Sequence, residues 1–297
     1  MTPPPRRTIV AWLLYDFANS AYVAVIPGTV YSKYYALSVV GNEHGEGDFW
    51  WGLSVTISMV IVAIASPPMG AIADHAGIRK RFLGLLTYLY VGATALMATV
   101  GPGDVLWGLV LAVIATVGFE AAIVYYNAYL PDLADETWRG RLSAYGFATG
   151  YAGSALALAA ALPFALRGSY GGAFLTAAAL FGLFSLPAML FLPADRPGGL
   201  TTGQAIRVGF RDTRENLRKI VRIPELRGFL LAYLFFEDGT NTVVYFSAVF
   251  AGHTLGFTTA EVIGLYFVVQ ISALGGAWLW ARPIDTWGPR KRLRTPA

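Results

Sequence analysis

The chain has 297 residues, 56% hydrophobic and only 13% charged, with a mean hydropathy of +0.53. A soluble domain carries about 25% charged residues, so the bilayer is the solvent for most of this chain. The net charge of +4 does not mark a nucleic-acid binder, because the basic residues sit in short stretches between apolar runs, and the absence of cysteine excludes disulfides and thiolate sites.

A membrane span needs about 20 mostly apolar residues. Eight such runs occur, at approximately 9–35, 49–73, 82–101, 105–129, 143–166, 171–192, 227–252 and 260–281. The first follows a short Pro- and Arg-containing start. It lacks a clear small-residue cleavage site and carries Asp16 and Asn19, so it reads as a retained span and not as a signal peptide. A carboxylate inside hydrocarbon costs roughly 2.5–3.5 kcal/mol on insertion scales. Asp16 and Asn19 are three apart and share one helix face. The connection Leu37 to Asp48 holds Glu43, Glu46 and Asp48 but no Lys or Arg.

The second run ends in Gly70-Ala-Ile-Ala-Asp74-His-Ala-Gly77-Ile-Arg79-Lys80-Arg81. The fourth carries Glu120, with Asn127 seven residues on and on about the same face. The fifth has Gly146, Gly150 and Ser154 at four-residue spacing, which lets helices approach closely and reads as packing. From Pro193 to Glu225 the chain is polar and basic. Within it, Gly203 to Arg222 places Ile206, Phe210, Leu217, Ile220 and Val221 among basic residues, as an amphipathic helix on an anionic leaflet would; a solvated tether explains it as well. The seventh run holds Glu237, Asp238 and Asn241.

Of the 22 basic residues, 20 fall on one side if the N-terminus is cytoplasmic, leaving only Lys33 and Arg167 outside. The positive-inside rule therefore predicts a multi-pass protein, of a bacterial inner membrane, with both termini and the linker in the cytoplasm. The expected organisation is a six-span bundle over 1–192, a basic linker over 193–226 and a partial second bundle over 227–297.

An internal repeat supports this division. Asp16 and Asn19 return as Asp238 and Asn241, each shifted by 222, and the loop Asp74 to Arg81 returns as Asp285-Thr-Trp-Gly288-Pro-Arg290-Lys-Arg292, shifted by 211. Spans 1–2 and 7–8 thus read as copies six spans apart with the same orientation. The segment Gly70 to Arg81 resembles the loop 2–3 signature of the major facilitator superfamily, with His75 and Ile78 where basic residues are commoner. The second copy has Ala281 in place of the first glycine. Within that superfamily, Tyr15-Asp16-Phe17-Ala18-Asn19-Ser20-Ala21, Tyr126-Asn127-Ala128-Tyr129-Leu130-Pro131-Asp132 and Asp238-Gly239 resemble the Atg22-like (UMF1-type) family.

The resemblance implies an all-α membrane protein with the complete six-helix N-terminal half and two helices of the C-terminal half, out of a usual twelve. It implies alternating access, with basic-loop residues Gly70, Asp74, Gly77, Arg79, Lys80, Asp285, Gly288 and Arg290 acting as a conformational gate. It also implies a small polar solute, with amino-acid efflux carried over by resemblance alone. From the residues themselves, Asp16, Asn19, Glu120, Asn127, Asp238 and Asn241 are candidates for binding the solute or a proton. For Asp16 and Asn19 the plainer reading is an interhelical hydrogen bond worth about 0.6 kcal/mol; for Glu120, a buried bond to a neighbouring helix stands beside proton relay. Arg79, Lys80 and Arg81 read equally as positive-inside anchors.

Glu237, adjacent to Asp238, points about 100° away and reads as a structural or rim residue. His44, His75 and His253 show no ligand spacing, and no Gly-Lys-Ser/Thr phosphate loop occurs, so neither metal, cofactor nor nucleotide is expected. The expected partners are the bilayer, a small solute and protons.

Two other classes compete. An intramembrane aspartyl protease would use Tyr15-Asp16, but its second aspartate needs a Gly-x-Gly-Asp context that Phe236-Glu237-Asp238-Gly239 lacks. A non-transporting remnant or assembly factor, or a truncated product completed by a partner chain, would explain the eight spans.

Overall fold

A computed structural model describes residues 5–73, 77–136, 138–195 and 199–292, with 281–292 as backbone only. It is all-α, with no strand among the described residues. Seven stretches are long and apolar enough to cross a membrane: Arg6–Val40, Glu46–Ala71, Arg79–Thr99, Val105–Leu133, Arg139–Leu166, Tyr170–Phe191 and Thr259–Trp280. The all-α bundle expected from the apolar runs is therefore present. The expected run at 227–252 is helical too, but Glu237, Asp238, Thr240 and Asn241 interrupt its apolar sequence and it is not among the seven.

The first span is broken. Helix α1 (Arg6–Val25) stops at Pro27, and α2 (Val30–Tyr34) resumes, passing into a wide π-type turn at Tyr35–Val40. Proline lacks an N–H and clashes with the preceding turn. In hydrocarbon the groups it frees must find partners inside the protein. They do so locally: the Thr29 hydroxyl donates to Ala24 O at 2.6 Å, Gly28 N to Val23 O at 2.9 Å and Ser32 N to Ile26 O at 3.1 Å.

Helices α3 (Glu46–Ala71), α4 (Arg79–Leu96), α5 (Val105–Asn127) and the short α6 (Leu130–Leu133) follow, then α7 (Arg139–Leu166) and α8 (Tyr170–Phe191). Between α3 and α4 the chain turns at Gly77, whose φ of 66° is a left-handed value that a Cβ would strain. Helix α9 (Thr202–Arg222) is the linker helix. Helices α10 (Pro224–His253) and α11 (Thr259–Arg292) complete the described chain.

Helix α1 lies between α7 and α8; α4 packs on α5 and α8, α3 on α5 and α9, and α11 along α7. The centre is aromatic. Trp12 stacks on Tyr126 at 4.7 Å between ring centroids, Tyr126 on Tyr15 at 4.9 Å, and Tyr90 on Phe181 at 4.5 Å, with Tyr22 packed edge-on to Tyr90. Two of these hydroxyls are bonded as well: Tyr15 meets the Thr87 hydroxyl at 2.7 Å and Tyr22 that of Thr116 at 3.2 Å. Rings that are large, stiff and bonded at their polar ends give helices a single packing arrangement.

Candidate functional site

Asp16 sits on α1 where that helix crosses α7. The approach is close because α7 presents small residues there. A Cβ built on Gly146 would lie 2.8 Å from Asp16 Oδ2, one on Gly150 would lie 2.5 Å from Ser20 Oγ, and one on Gly153 would collide with the carbonyl of Phe17. Ser154, the next small residue, donates its hydroxyl to Ser20 O at 3.0 Å. The spacing of four that reads as packing in the sequence thus packs α7 on the face of α1 that carries Asp16. Asn19, buried one turn along, donates its amide to Asp16 Oδ1 at 3.5 Å, and the Ser20 hydroxyl donates to Asn19 Oδ1 at 3.3 Å. Asp16 is half-buried and Asn19 buried, so the pair is held inside the packed crossing. The ring of Tyr126, from α5, stacks on Trp12 and Tyr15, both in the turn of α1 that precedes Asp16.

Glu120, midway along α5, is half-buried and its side chain meets the hydroxyl of Tyr245 from α10. The Tyr245 carbonyl accepts the indole N–H of Trp51 on α3 at 2.7 Å, so α3, α5 and α10 are tied at one point. Asn127, expected on the face of Glu120, is exposed at the end of α5.

The second copy of the acid–amide pair lies in a different environment. Asp238 and Asn241 are exposed on α10, beside Gly239, where a Cβ would meet open space. Glu237 faces Tyr233 one turn earlier on the same helix. Sequence equivalence does not bring this pair into the packed setting that Asp16 and Asn19 share.

The basic loop forms a second cluster at the end of the bundle where α4 begins. Arg79 Nη1 donates to Asp132 Oδ2 at 2.7 Å and to Ala128 O at 2.8 Å, and its guanidinium lies 4.9 Å from the centre of the Tyr129 ring. Lys80 Nζ donates to Leu192 O at 2.8 Å at the end of α8. Asp195 accepts the backbone N–H of Lys80 at 2.7 Å and of Arg81 at 3.3 Å, which places a carboxylate on the unpaired N–H groups and positive dipole end of α4. Gly70 lies in the last turns of α3, while Asp74 falls outside the described residues.

The second copy departs here too. Asp285, Gly288 and Arg290 were expected in a loop, but α11 continues through Arg292 and Gly288 does not take the positive φ that turns the chain at Gly77. Their side chains lie outside the described residues. Asp132, Asp195 and Tyr245 are not singled out as site residues by sequence. Asp132 closes the Tyr126–Asp132 motif and could have been found there; Asp195 and Tyr245 bear no local signal, since each acts on a helix distant in sequence. No group of three His, Cys, Asp or Glu able to hold a metal occurs among the described residues.

The model of the family described as "Vacuole effluxer Atg22 like" matches residues 51–292. The chain belongs to the Atg22-like family. Among curated proteins it is 30% identical over 276 residues to the Bacillus subtilis protein named "Uncharacterized MFS-type transporter YxiO", covering 89% of this chain and 64% of that one. It is 30% identical over 211 residues to the "Uncharacterized MFS-type transporter MT3072" of Mycobacterium tuberculosis, covering 68% and 44%. Similarity to "Autophagy-related protein 22" of Coccidioides immitis is 25% over 318 residues, covering 83% and 51%. The chain therefore spans under two thirds of the length of each of these Atg22-like and MFS-type relatives.

Proposed function

We propose that this Atg22-like chain belongs to a secondary transporter of the major facilitator type, which moves a small polar solute by alternating access and is driven by a proton or solute gradient. The observation that carries the reading is Asp16. Its half-buried carboxylate is held by Asn19 and seated against Gly146 at the crossing of α1 and α7. A structural acid could be replaced by a neutral partner at little loss. An acid kept inside the bilayer at a cost of roughly 2.5–3.5 kcal/mol fits a role in binding a cationic or amino group, or a proton. Glu120 on α5 with Tyr245 on α10 is the second polar point.

In this reading the six spans up to Phe191 form one bundle, and α9 links it to a second bundle that begins with α10 and α11. The Arg79–Asp132 pair and the Asp195 cap mark the cytoplasmic end, and Lys33, which donates to Phe257 O, the outer end. The relatives named as MFS-type transporters and the efflux description of the family support export of a solute; amino acids are the solute class proposed for the first test. They also favour a carrier over an enzyme.

The test uses the chain purified into liposomes loaded with single amino acids. Counterflow of a labelled solute is expected, and Asp16→Asn, which keeps the shape but removes the charge, should weaken it at least about tenfold, the kinetic equivalent of about 1.4 kcal/mol. Counterflow by Asp16→Asn at the parent rate would overturn the assignment of Asp16.

A further inference from the structure

Among the described helices, α9 separates its residues by chemistry most sharply. Ala205 and Gly209 are buried against the last turns of α3, where a Cβ on Gly209 would sit 2.5 Å from the Pro67 carbonyl and 2.9 Å from Ala71 Cβ. At 100° per residue the neighbouring sector carries Ile206, Phe210, Leu217 and Val221. These stay open, at 36, 49, 57 and 64% exposure. The next sector, on the far side of that apolar strip, is a row of Arg207, Arg211, Arg214, Arg218 and Arg222. Its start is fixed by a reciprocal capping box, in which the Thr201 hydroxyl accepts Gln204 N and the Gln204 side chain accepts Thr201 N, so the helix is defined up to its first turn. Counting Lys219, Asp212 and Glu215, the helix holds six basic residues against two acidic ones.

We infer that the exposed apolar strip of α9 docks into the headgroup region of an anionic bilayer, with the arginine row paired to lipid phosphates. A solvated tether would need the charge but not the strip. A surface covered by protein would not need five arginines along its edge. An apolar strip bordered by a continuous basic row matches the depth profile of an anionic leaflet, acyl chains below and phosphates beside them. The position agrees: α9 packs on the last turns of the spanning helix α3, the helix that precedes the Arg79, Lys80 and Arg81 opening α4 in sequence. Only Ile223 separates α9 from α10, so a docked α9 fixes where α10 enters the membrane.

The chain has no cysteine, so single reporters can be placed without background. Phe210→Cys, Leu217→Cys and Glu215→Cys, each labelled with a small environment-sensitive fluorophore, are reconstituted as full-length protein. The nanodiscs are of phosphatidylcholine alone or of phosphatidylcholine with phosphatidylglycerol. With the anionic lipid, labels at 210 and 217 should be quenched by brominated acyl chains and shielded from aqueous acrylamide, while the label at 215 shows the reverse. Adding Arg207→Gln, Arg211→Gln, Arg214→Gln and Arg218→Gln should abolish the shielding, as should omitting phosphatidylglycerol. Equal acrylamide quenching at all three sites in anionic nanodiscs makes α9 a solvated tether. Shielding at 210 and 217 that does not depend on anionic lipid assigns the strip to a protein neighbour. Either outcome overturns the proposal.

Discussion

Alanine at Gly146 and at Gly153, one at a time, separates the seat of Asp16 from the packing that holds it. At Gly146 the new Cβ would lie 2.8 Å from Asp16 Oδ2 and 3.0 Å from the Trp12 ring, where ordinary contact begins at 3.4 Å; the carboxylate must therefore give way by 3.4 less 2.8, about 0.6 Å. A terminal carboxylate rotates in a broad torsional well, so this movement costs little. Alanine is also favoured over glycine in a helix interior by about 0.8–1 kcal/mol. The buried Trp12 ring must also give way by about 0.4 Å, an overpacking cost of about 1 kcal/mol that offsets this gain, so stability should stay within about 1 kcal/mol of the parent. Function should not stay. On the proposed role of Asp16, a displaced carboxylate forfeits a charge-assisted hydrogen bond to the solute, worth about 1.5–3 kcal/mol, so counterflow should fall at least about tenfold.

At Gly153 the obstacle is the Phe17 carbonyl, part of the α1 backbone, which cannot rotate away. The helices must separate. Overpacking near the top of its usual range, about 3 kcal/mol, less about 1 kcal/mol of helix propensity, leaves a loss of about 2 kcal/mol. Denaturant unfolding followed by tryptophan fluorescence measures the stability of each variant, and liposome counterflow measures transport. If Gly146→Ala transports like the parent, or Gly153→Ala is equally stable, the account of the α1–α7 crossing is wrong.

Other variants test the loop end of the bundle. Asp195→Ala removes the carboxylate that accepts the N–H groups of Lys80 and Arg81, and the loss of such a cap costs about 1 kcal/mol. Hydrogen exchange at those two amides should accelerate, with Asp195→Asn restoring part of the protection because its amide oxygen still accepts. Arg79→Lys keeps the charge but replaces the planar guanidinium that lies over Tyr129 with a compact, strongly hydrated ammonium. Since Asp132 is exposed, the stability change should stay under about 1 kcal/mol, and the effect should appear in the rate of counterflow. An unchanged rate would leave Arg79 as an anchor only.

Most of the architecture could be read from composition and spacing because a bilayer makes hydropathy nearly decisive: backbone groups must be satisfied within each helix, so a long apolar run has few alternatives. Asp16 was legible for the same reason, since a charge in such a run stands out. The Gly146, Gly150, Ser154 spacing was readable as a packing face, although its partner helix was not.

Tertiary structure alone decided which residues meet. It placed Gly146 on Asp16, Tyr245 on Glu120 and Asp195 on the start of α4, contacts between residues far apart in sequence that no local pattern encodes. It also separated two pairs that the sequence makes equivalent. Asp16 and Asn19 are packed against α7, while Asp238 and Asn241 stand exposed on α10. A repeat in sequence carries the same chemistry, but burial depends on what neighbouring helices bring to it. Gly77 turns the chain and Gly288 continues a helix for a related reason: glycine permits a left-handed conformation without requiring it.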